Sequence, residues 1–286
     1  MGSPENKDIR RHGDIRELAL SVLLECDPSA KAVRAQELHR RWLARELDCR
    51  PQASIAEPAG LPGRPRAPLL VEPRLLAHRG MRSQEGRAVL LHALAHIEFN
   101  AINLALDAVW RFEAMPEAFY GDWLQVSAEE ARHFTLLGAR LAQFGHAYGD
   151  FPAHNGLWDM CERTGGDVLA RMALVPRTLE ARGLDASPPI RARLAQAGDG
   201  DSAAILDVIL RDEIGHVRIG NRWFRYLCDA RGLDPHRTYL EFADQYRAPR
   251  LRGPFNFEAR REAGFDEFEL SQLNTDEGAG DALRAR

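Results

Sequence analysis

Two stretches of five residues decide the predicted fold of this 286-residue chain: Glu129-Glu-Ala-Arg-His133 and Asp212-Glu-Ile-Gly-His216. In each stretch a glutamate precedes a histidine by three positions, Glu130 before His133 and Glu213 before His216. On an α-helix this spacing places both side chains on one face, one turn apart, where both can approach the same metal ion. A single pair of this kind is more often a surface ion pair, so the prediction depends on the surroundings of the two pairs.

Both pairs lie in stretches whose other residues on the same helical face are mainly apolar. Val126 and Leu137 share the face of Glu130, and Ile209 shares the face of Glu213. A carboxylate and an imidazole on a buried face are costly unless they pair with each other or bind a metal ion. The apolar surroundings therefore favour a metal site over a solvated pair.

One competing interpretation concerns Glu130 alone. Ser127-Ala-Glu-Glu130 has the form of a capping box, which would place Glu130 in the first turn of a helix. The helical pattern continues upstream from Asp122 without a helix-breaking residue. We therefore expect Glu130 to lie inside a helix.

Two further glutamates, Glu98 and Glu180, lie on predicted helices of their own. Each precedes one of the Glu-x-x-His pairs at a nearly equal separation, so the chain predicts two matched helical hairpins. One Glu from each of two helices, with Glu-x-x-His from each of the other two, is the ligand set of a carboxylate-bridged dinuclear site. We therefore predict that two metal ions are held by Glu98, Glu130, His133, Glu180, Glu213 and His216.

The donor types limit the choice of metal and suggest supporting residues. Carboxylates with imidazole suit iron and also manganese or zinc. We predict iron, with manganese or a mixed manganese–iron pair as alternatives. Asp212 and Glu129 directly precede the two motif glutamates, and we expect them to accept hydrogen bonds from the ligand histidines. The alternative is that both are ordinary surface acids. No catalytic residue is predicted beyond the metal ligands.

Helical periodicity covers most of the chain, and strand signals are almost absent. We expect short helices over 14–25 and from 28 onward, and long helices over 84–113, 117–146, 158–183 and 202–231. The predicted fold is all-α, a ferritin-like four-helix bundle with extra N-terminal helices and a C-terminal extension. We expect a disordered N-terminus over 1–13 and N-terminal helices with a proline-rich connection over 14–83. The dinuclear-metal bundle then covers 84–233, the extension 234–274 and a disordered tail 275–286. Leu69, Leu70 and Val71 are expected to anchor the connection to the main body.

The composition argues against nucleic-acid and membrane partners. The formal net charge is −4, and the arginine-rich stretch 247–261 is interpreted as solvated surface or ion-pair partners. The N-terminus lacks the apolar core of a signal sequence, and no apolar run approaches the thickness of a bilayer. The four cysteines indicate neither a disulfide framework nor a zinc site. We expect a cytoplasmic protein.

In combination, these stretches resemble the ferritin-like superfamily and, more narrowly, a bacterial family of ferritin-like proteins catalogued as a domain of unknown function. The resemblance covers about residues 14–270, and it is carried by Glu85-Gly-Arg-Ala, Leu91–Glu98, Glu129–Phe134, Glu180–Asp185, Asp212–Val217 and Pro254-Phe-Asn. It implies the metal site without implying a settled activity. A more remote likeness to the di-iron tRNA hydroxylases is weakened by the low positive charge.

The predicted function is that of an O2-activating oxygenase or oxidase. Its expected partners are O2 and a small-molecule substrate that the sequence does not identify, and an electron donor and a homodimer are compatible with it. The alternative is a ferritin- or rubrerythrin-like protein that handles metal or scavenges peroxide. A purely structural bundle would leave four carboxylates and two histidines on apolar faces unexplained.

Overall fold

The computed structural model describes residues 13–76 and 80–273, and within these ranges the chain is helical, with isolated β-bridges in place of strands. The all-α prediction is therefore confirmed for the part of the chain that is described. The predicted disorder of 1–13 and 275–286 falls, apart from Gly13, outside these residues.

Two N-terminal helices pack on the main body. Helix α1 spans Ile15–Leu23 and helix α2 spans Pro28–Leu43. Both begin at an aspartate whose side chain accepts backbone N–H groups of the first turn, Asp14 for α1 and Asp27 for α2. Helix α1 contacts α3, which spans Gln84–Arg111, and α2 contacts α4, which spans Glu117–Gln143.

The proline-rich connection is irregular, as predicted, but two of the three apolar anchors expected in it, Leu69 and Leu70, are exposed. Leu69 is 70% exposed and Leu70 is 37% exposed. The main chain makes the attachment instead, because Val71 N donates to Ala153 O at 2.8 Å and Ala153 N donates to Leu69 O at 3.0 Å. Backbone hydrogen bonding thus replaces the burial expected of Leu69 and Leu70, whereas Ile55 and Leu61 elsewhere in the connection pack against the core.

Helices α3 and α4 begin at the predicted residues and end two or three residues before the predicted ones. By length and mean hydropathy, helix α3 could cross a membrane. The expectation that no stretch of the chain is long and apolar enough to do so is therefore wrong. Most of its apolar window is buried inside the protein, at 72%. The hydropathy of α3 is therefore accounted for by its place in the core.

The prediction of one helix over 158–183 is wrong. A short helix α5 spans Gly156–Arg163 and stops before Gly165 and Gly166. Helix α6 then spans Val168–Leu174, a π-helical turn spans Val175–Glu180, and α7 spans Ala181–Gln196. Pro176 accounts for the irregular turn because it lacks the N–H of a regular helix and its ring crowds the preceding turn.

Pro188 does not end α7, although the sequence suggested that the helix stops before it. A proline at 188 leaves the carbonyl of Leu184 without its helical N–H partner. Asn256 Nδ2 donates to that carbonyl at 3.2 Å, and Asn256 N donates to Asp185 Oδ1 at 2.9 Å. A hydrogen-bond donor from a distant segment therefore lets the helix continue past the proline.

The last long helix, α8, spans Gly200–Arg231, close to the predicted 202–231. It packs against α4, α6, the π-helical turn and α7. The C-terminal segment contains α9, Pro235–Gln245, and α10, Phe257–Glu262. A small second core joins this segment to α7 and α8, and it contains Ala181, Leu184, Val217, Ala259, Ala263, Phe265 and Leu270.

Candidate metal centre

Helices α3, α4 and α8 bring four acidic and imidazole side chains to one buried point. One ligand atom from each of Glu98, Glu130, His133 and Glu213 lies within 4.8 Å of the others. All four residues are buried, and Glu130 and His133 have no exposed surface. Such a cluster could hold a metal ion.

Glu130 lies between the two motif histidines. His133 Nδ1 is 3.2 Å from Glu130 Oε2 and 3.2 Å from Glu98 Oε2. On the other side, His216 Nδ1 is 2.9 Å from Glu130 Oε1 and 3.8 Å from Glu213 Oε1. The two imidazole rings are 5.9 Å apart between centroids. The two oxygens of one carboxylate thus face the two histidines.

The outer nitrogens of the histidines bind acidic residues across the helix pair. His133 Nε2, on α4, lies 2.9 Å from Asp212 Oδ2 on α8. His216 Nε2, on α8, lies 2.8 Å from Glu129 Oε2 on α4. Each carboxylate can accept the Nε2–H, which leaves the Nδ1 of each ring directed at the cluster.

Asp212 is also held by two arginines, which the sequence analysis did not single out. Arg132 forms an ion pair with Asp212 Oδ2, and Arg211 Nε lies 3.1 Å from Asp212 Oδ1. Burial opposes ionisation of Asp212, but the hydrogen bond with His133 and the arginines outweigh it and lower its pKa. Asp212 is therefore a fixed negative charge behind His133.

Glu180 lies at the end of the π-helical turn and outside the group of four. It is not among the four residues that lie within 4.8 Å of one another, but it is buried, and its Oε2 has no hydrogen-bond partner. Burial, and then the charges of Glu213 and Glu130, raise its pKa well above the ordinary value. Glu180 therefore lies within electrostatic reach of the other carboxylates.

Several atoms that face the cluster have no hydrogen-bond partner among the described residues: Glu130 Oε1, Glu180 Oε2, Glu213 Oε2 and His216 Nδ1. His216 Nδ1 and Glu130 Oε1 are close in distance, yet their orientation is not that of a hydrogen bond. Unpaired buried acceptors are costly. They are the pattern expected of atoms arranged around a common cation.

The protonation of the cluster fits the same interpretation. Burial raises the pKa of Glu98 and of Glu213, and the neighbouring Glu130 raises both further. Burial would lower the pKa of His133, but hydrogen bonds with Asp212, Glu130 and Glu98 raise it to about 12. Without a cation, the cluster therefore retains protons that metal binding would displace.

Two other expectations can be compared with the structure. Helix α4 begins at Glu117, and Ser127 Oγ donates to Leu124 O at 2.8 Å, so Ser127 forms no capping box with Glu130. The four cysteines are free.

Over its described residues, the chain is helical and contains a buried carboxylate–histidine cluster that could hold a metal ion. These two features define the class of protein. The chain belongs to the protein family of unknown function DUF455, whose family model matches residues 24–271. It is also similar to an uncharacterized protein of Haemophilus influenzae, with 51% identity over 216 residues that cover 73% of this chain and 75% of that protein. No solved structure matches the chain.

Proposed function

We propose that this protein is a dinuclear carboxylate oxidoreductase with a ferritin-like arrangement of four helices, and that its metal is iron. The four helical contributions are α3, α4, the segment from α6 to α7, and α8. They supply the ligands Glu98, Glu130, His133, Glu180, Glu213 and His216. The position of Glu130 between the two histidines is the observation that carries the proposal.

The donor set fits two divalent cations. Four carboxylates match the charge of two such ions, and the unpaired acceptors of Glu130, Glu180, Glu213 and His216 offer lone pairs to them. Asp212 and Glu129 orient the two imidazoles by accepting their outer N–H groups. Two bound ferrous ions would supply the electrons for the reduction of O2.

The proposed ligands are buried and at most 9% exposed, which limits the access of bulk water to them. Glu130, His133 and His216 have no exposed surface. A dry, low-dielectric site strengthens every charge interaction within it and limits unproductive loss of electrons to solvent. This burial favours an O2-activating enzyme over a metal carrier, which must release its ion.

The test is to load the purified protein anaerobically with Fe(II), mix it with O2 and record the optical spectrum against time. We expect an absorption band of protein-bound Fe(III), with O2 consumed in proportion to the protein. Glu130→Gln should abolish the band. The exposed control Glu258→Gln, on α10, should retain it. The proposal fails if wild-type protein oxidises Fe(II) no faster than buffer does. Faster turnover with hydrogen peroxide than with O2 would instead favour the peroxide-scavenging alternative.

A further inference from the structure

A second cavity lies apart from the metal centre, and none of the six proposed ligands lines it. It has a volume of about 430 Å³ and is bordered by α9, residues 247–251 and residues 265–273. This volume is within the range of cavities that hold small organic ligands. Its interior is reached by Arg177 of the π-helical turn and by Arg260 of α10.

Positive charge predominates around the cavity. Its lining includes Arg177, Arg247, Arg250 and Arg260, against the carboxylates of Asp244 and Glu269. The whole chain has a formal net charge of −4, so this excess is local. Arg247 and Arg250 are exposed, and neither forms an ion pair with any of the described residues.

The two inner arginines are almost fully buried and incompletely paired. Arg177 is 3% exposed and Arg260 is 0% exposed. Arg177 forms an ion pair with Glu269, and Arg260 Nη2 donates to Asp185 Oδ2 at 2.5 Å. Yet Arg177 Nε and Arg260 Nη1 have no hydrogen-bond partner among the described residues. A buried guanidinium with an unused donor is costly, and an anionic group that accepts from it removes the cost.

The remaining walls are apolar and aromatic. The rings of Tyr239 and Phe265 lie 5.2 Å and 4.9 Å from the Arg177 guanidinium. Leu240 and Phe268 also line the cavity and are 66% and 55% exposed. Large apolar side chains left this accessible beside arginines with unused donors indicate a ligand with both an apolar and an anionic part.

We propose that this cavity binds a small organic anion, a carboxylate or phosphate group attached to an aliphatic or aromatic portion. The anionic group accepts hydrogen bonds from the arginines, and the apolar portion lies against Leu240 and Phe268. The proposal does not rest on the metal centre, because the cavity shares no residue with it. The sequence alone does not reveal this site, because the arginines of the stretch 247–261 have the pattern of surface or ion-pair residues.

The test uses 8-anilinonaphthalene-1-sulfonate, a fluorescent aromatic anion, titrated into the metal-free full chain. We expect saturable binding of one molecule per chain. Octanoate and octyl phosphate should each displace the probe, and their relative strengths distinguish the two kinds of anion. Octan-1-ol, which has the apolar chain without the charge, and acetate, which has the charge without the chain, should displace it at least tenfold less well.

The variants separate this cavity from other apolar surface. R247Q/R250Q should raise the Kd of the probe at least tenfold, because two charge-assisted contacts are lost. R193Q, an exposed arginine of α7 outside the cavity, is the matched control and should leave the Kd within twofold. All three substituted arginines are exposed, so circular dichroism should show unchanged folding. Failure of the probe to saturate, an unchanged Kd in R247Q/R250Q, or equal displacement by octan-1-ol would each overturn the proposal.

Discussion

Replacing the outer carboxylates of the metal centre with amides tests how the site holds its histidines. Glu129→Gln and Asp212→Asn keep the size of each side chain and an acceptor oxygen while removing the charge. The hydrogen bonds concerned are those from His216 Nε2 at 2.8 Å and from His133 Nε2 at 2.9 Å. A hydrogen bond to a charged acceptor contributes roughly 1 kcal/mol more than one to a neutral acceptor. Each substitution should therefore weaken metal binding by about fivefold.

The two variants should differ in a definite order. Asp212 is the less exposed acid, with 11% of its side chain accessible against 30% for Glu129. Removing its charge also leaves Arg132 and Arg211 without their acidic partner beside His133. Uncompensated positive charge near the ligands disfavours a cation, so D212N should lose more affinity than E129Q.

The assay is an anaerobic titration with Co(II), followed by its visible absorption, in wild type and both variants. D207N is the matched control, because Asp207 is an exposed acid of α8 that pairs with Arg191 at the surface. It should bind Co(II) as wild type does. Equal affinities for wild type, E129Q and D212N would show that the outer carboxylates do not support the histidines, and the reasoning would be wrong.

Three further predictions concern stability. His92 Nε2 accepts from Gly149 N at 2.9 Å, and burial lowers the pKa of His92 to about 4, so on acidification the unfolded chain is protonated before the folded one. The free energy of unfolding should therefore fall by up to about 3 kcal/mol as the pH drops from 6.5 to 4, and urea titrations should show a smaller fall for H92Q. Arg171→Met should reduce the free energy of unfolding by about 3 kcal/mol in urea, since Asp107 is buried and loses one of its two arginines; a loss below 1 kcal/mol would contradict this. Gly220→Ala would place a Cβ 2.5 Å from Pro176 Cβ, so we expect the free energy of unfolding to fall by about 1–3 kcal/mol in thermal melts and Co(II) binding to weaken. The control Gly215→Ala, whose Cβ would have no other side chain or segment within 4 Å, should leave Co(II) binding unchanged and stability unchanged or slightly improved.

The sequence predicted three of the long helices and the local pairing of Glu130 with His133 for different physical reasons. Helices α3, α4 and α8 keep an unbroken apolar periodicity, and their observed limits lie within three residues of the predicted ones. The three-residue spacing in each motif is local to one helix, so it brings Glu130 beside His133 without knowledge of the tertiary structure.

The segment between α5 and α7 could not be predicted in the same way. Its π-helical turn begins at Val175 and contains Pro176, and the spacing of apolar residues does not show that a proline there changes the helix type. The continuation of α7 past Pro188 depends on a distant contact, that of Asn256 with the Leu184 carbonyl. The same turn carries Arg177 and Glu180, so the sequence alone does not show where these two side chains lie. Arg260 was likewise ambiguous, because its burial depends on Asp185, 75 positions away in sequence.

Metal content per chain is the measurement that tests the central claim most directly. Wild-type protein is reconstituted anaerobically with Fe(II) and desalted, and its iron content is measured by elemental mass spectrometry. We expect two ions per chain. E130A and E213A should each hold one ion or none, while remaining folded by circular dichroism. One ion or none in wild type, or two ions in both variants, would contradict the proposed dinuclear centre.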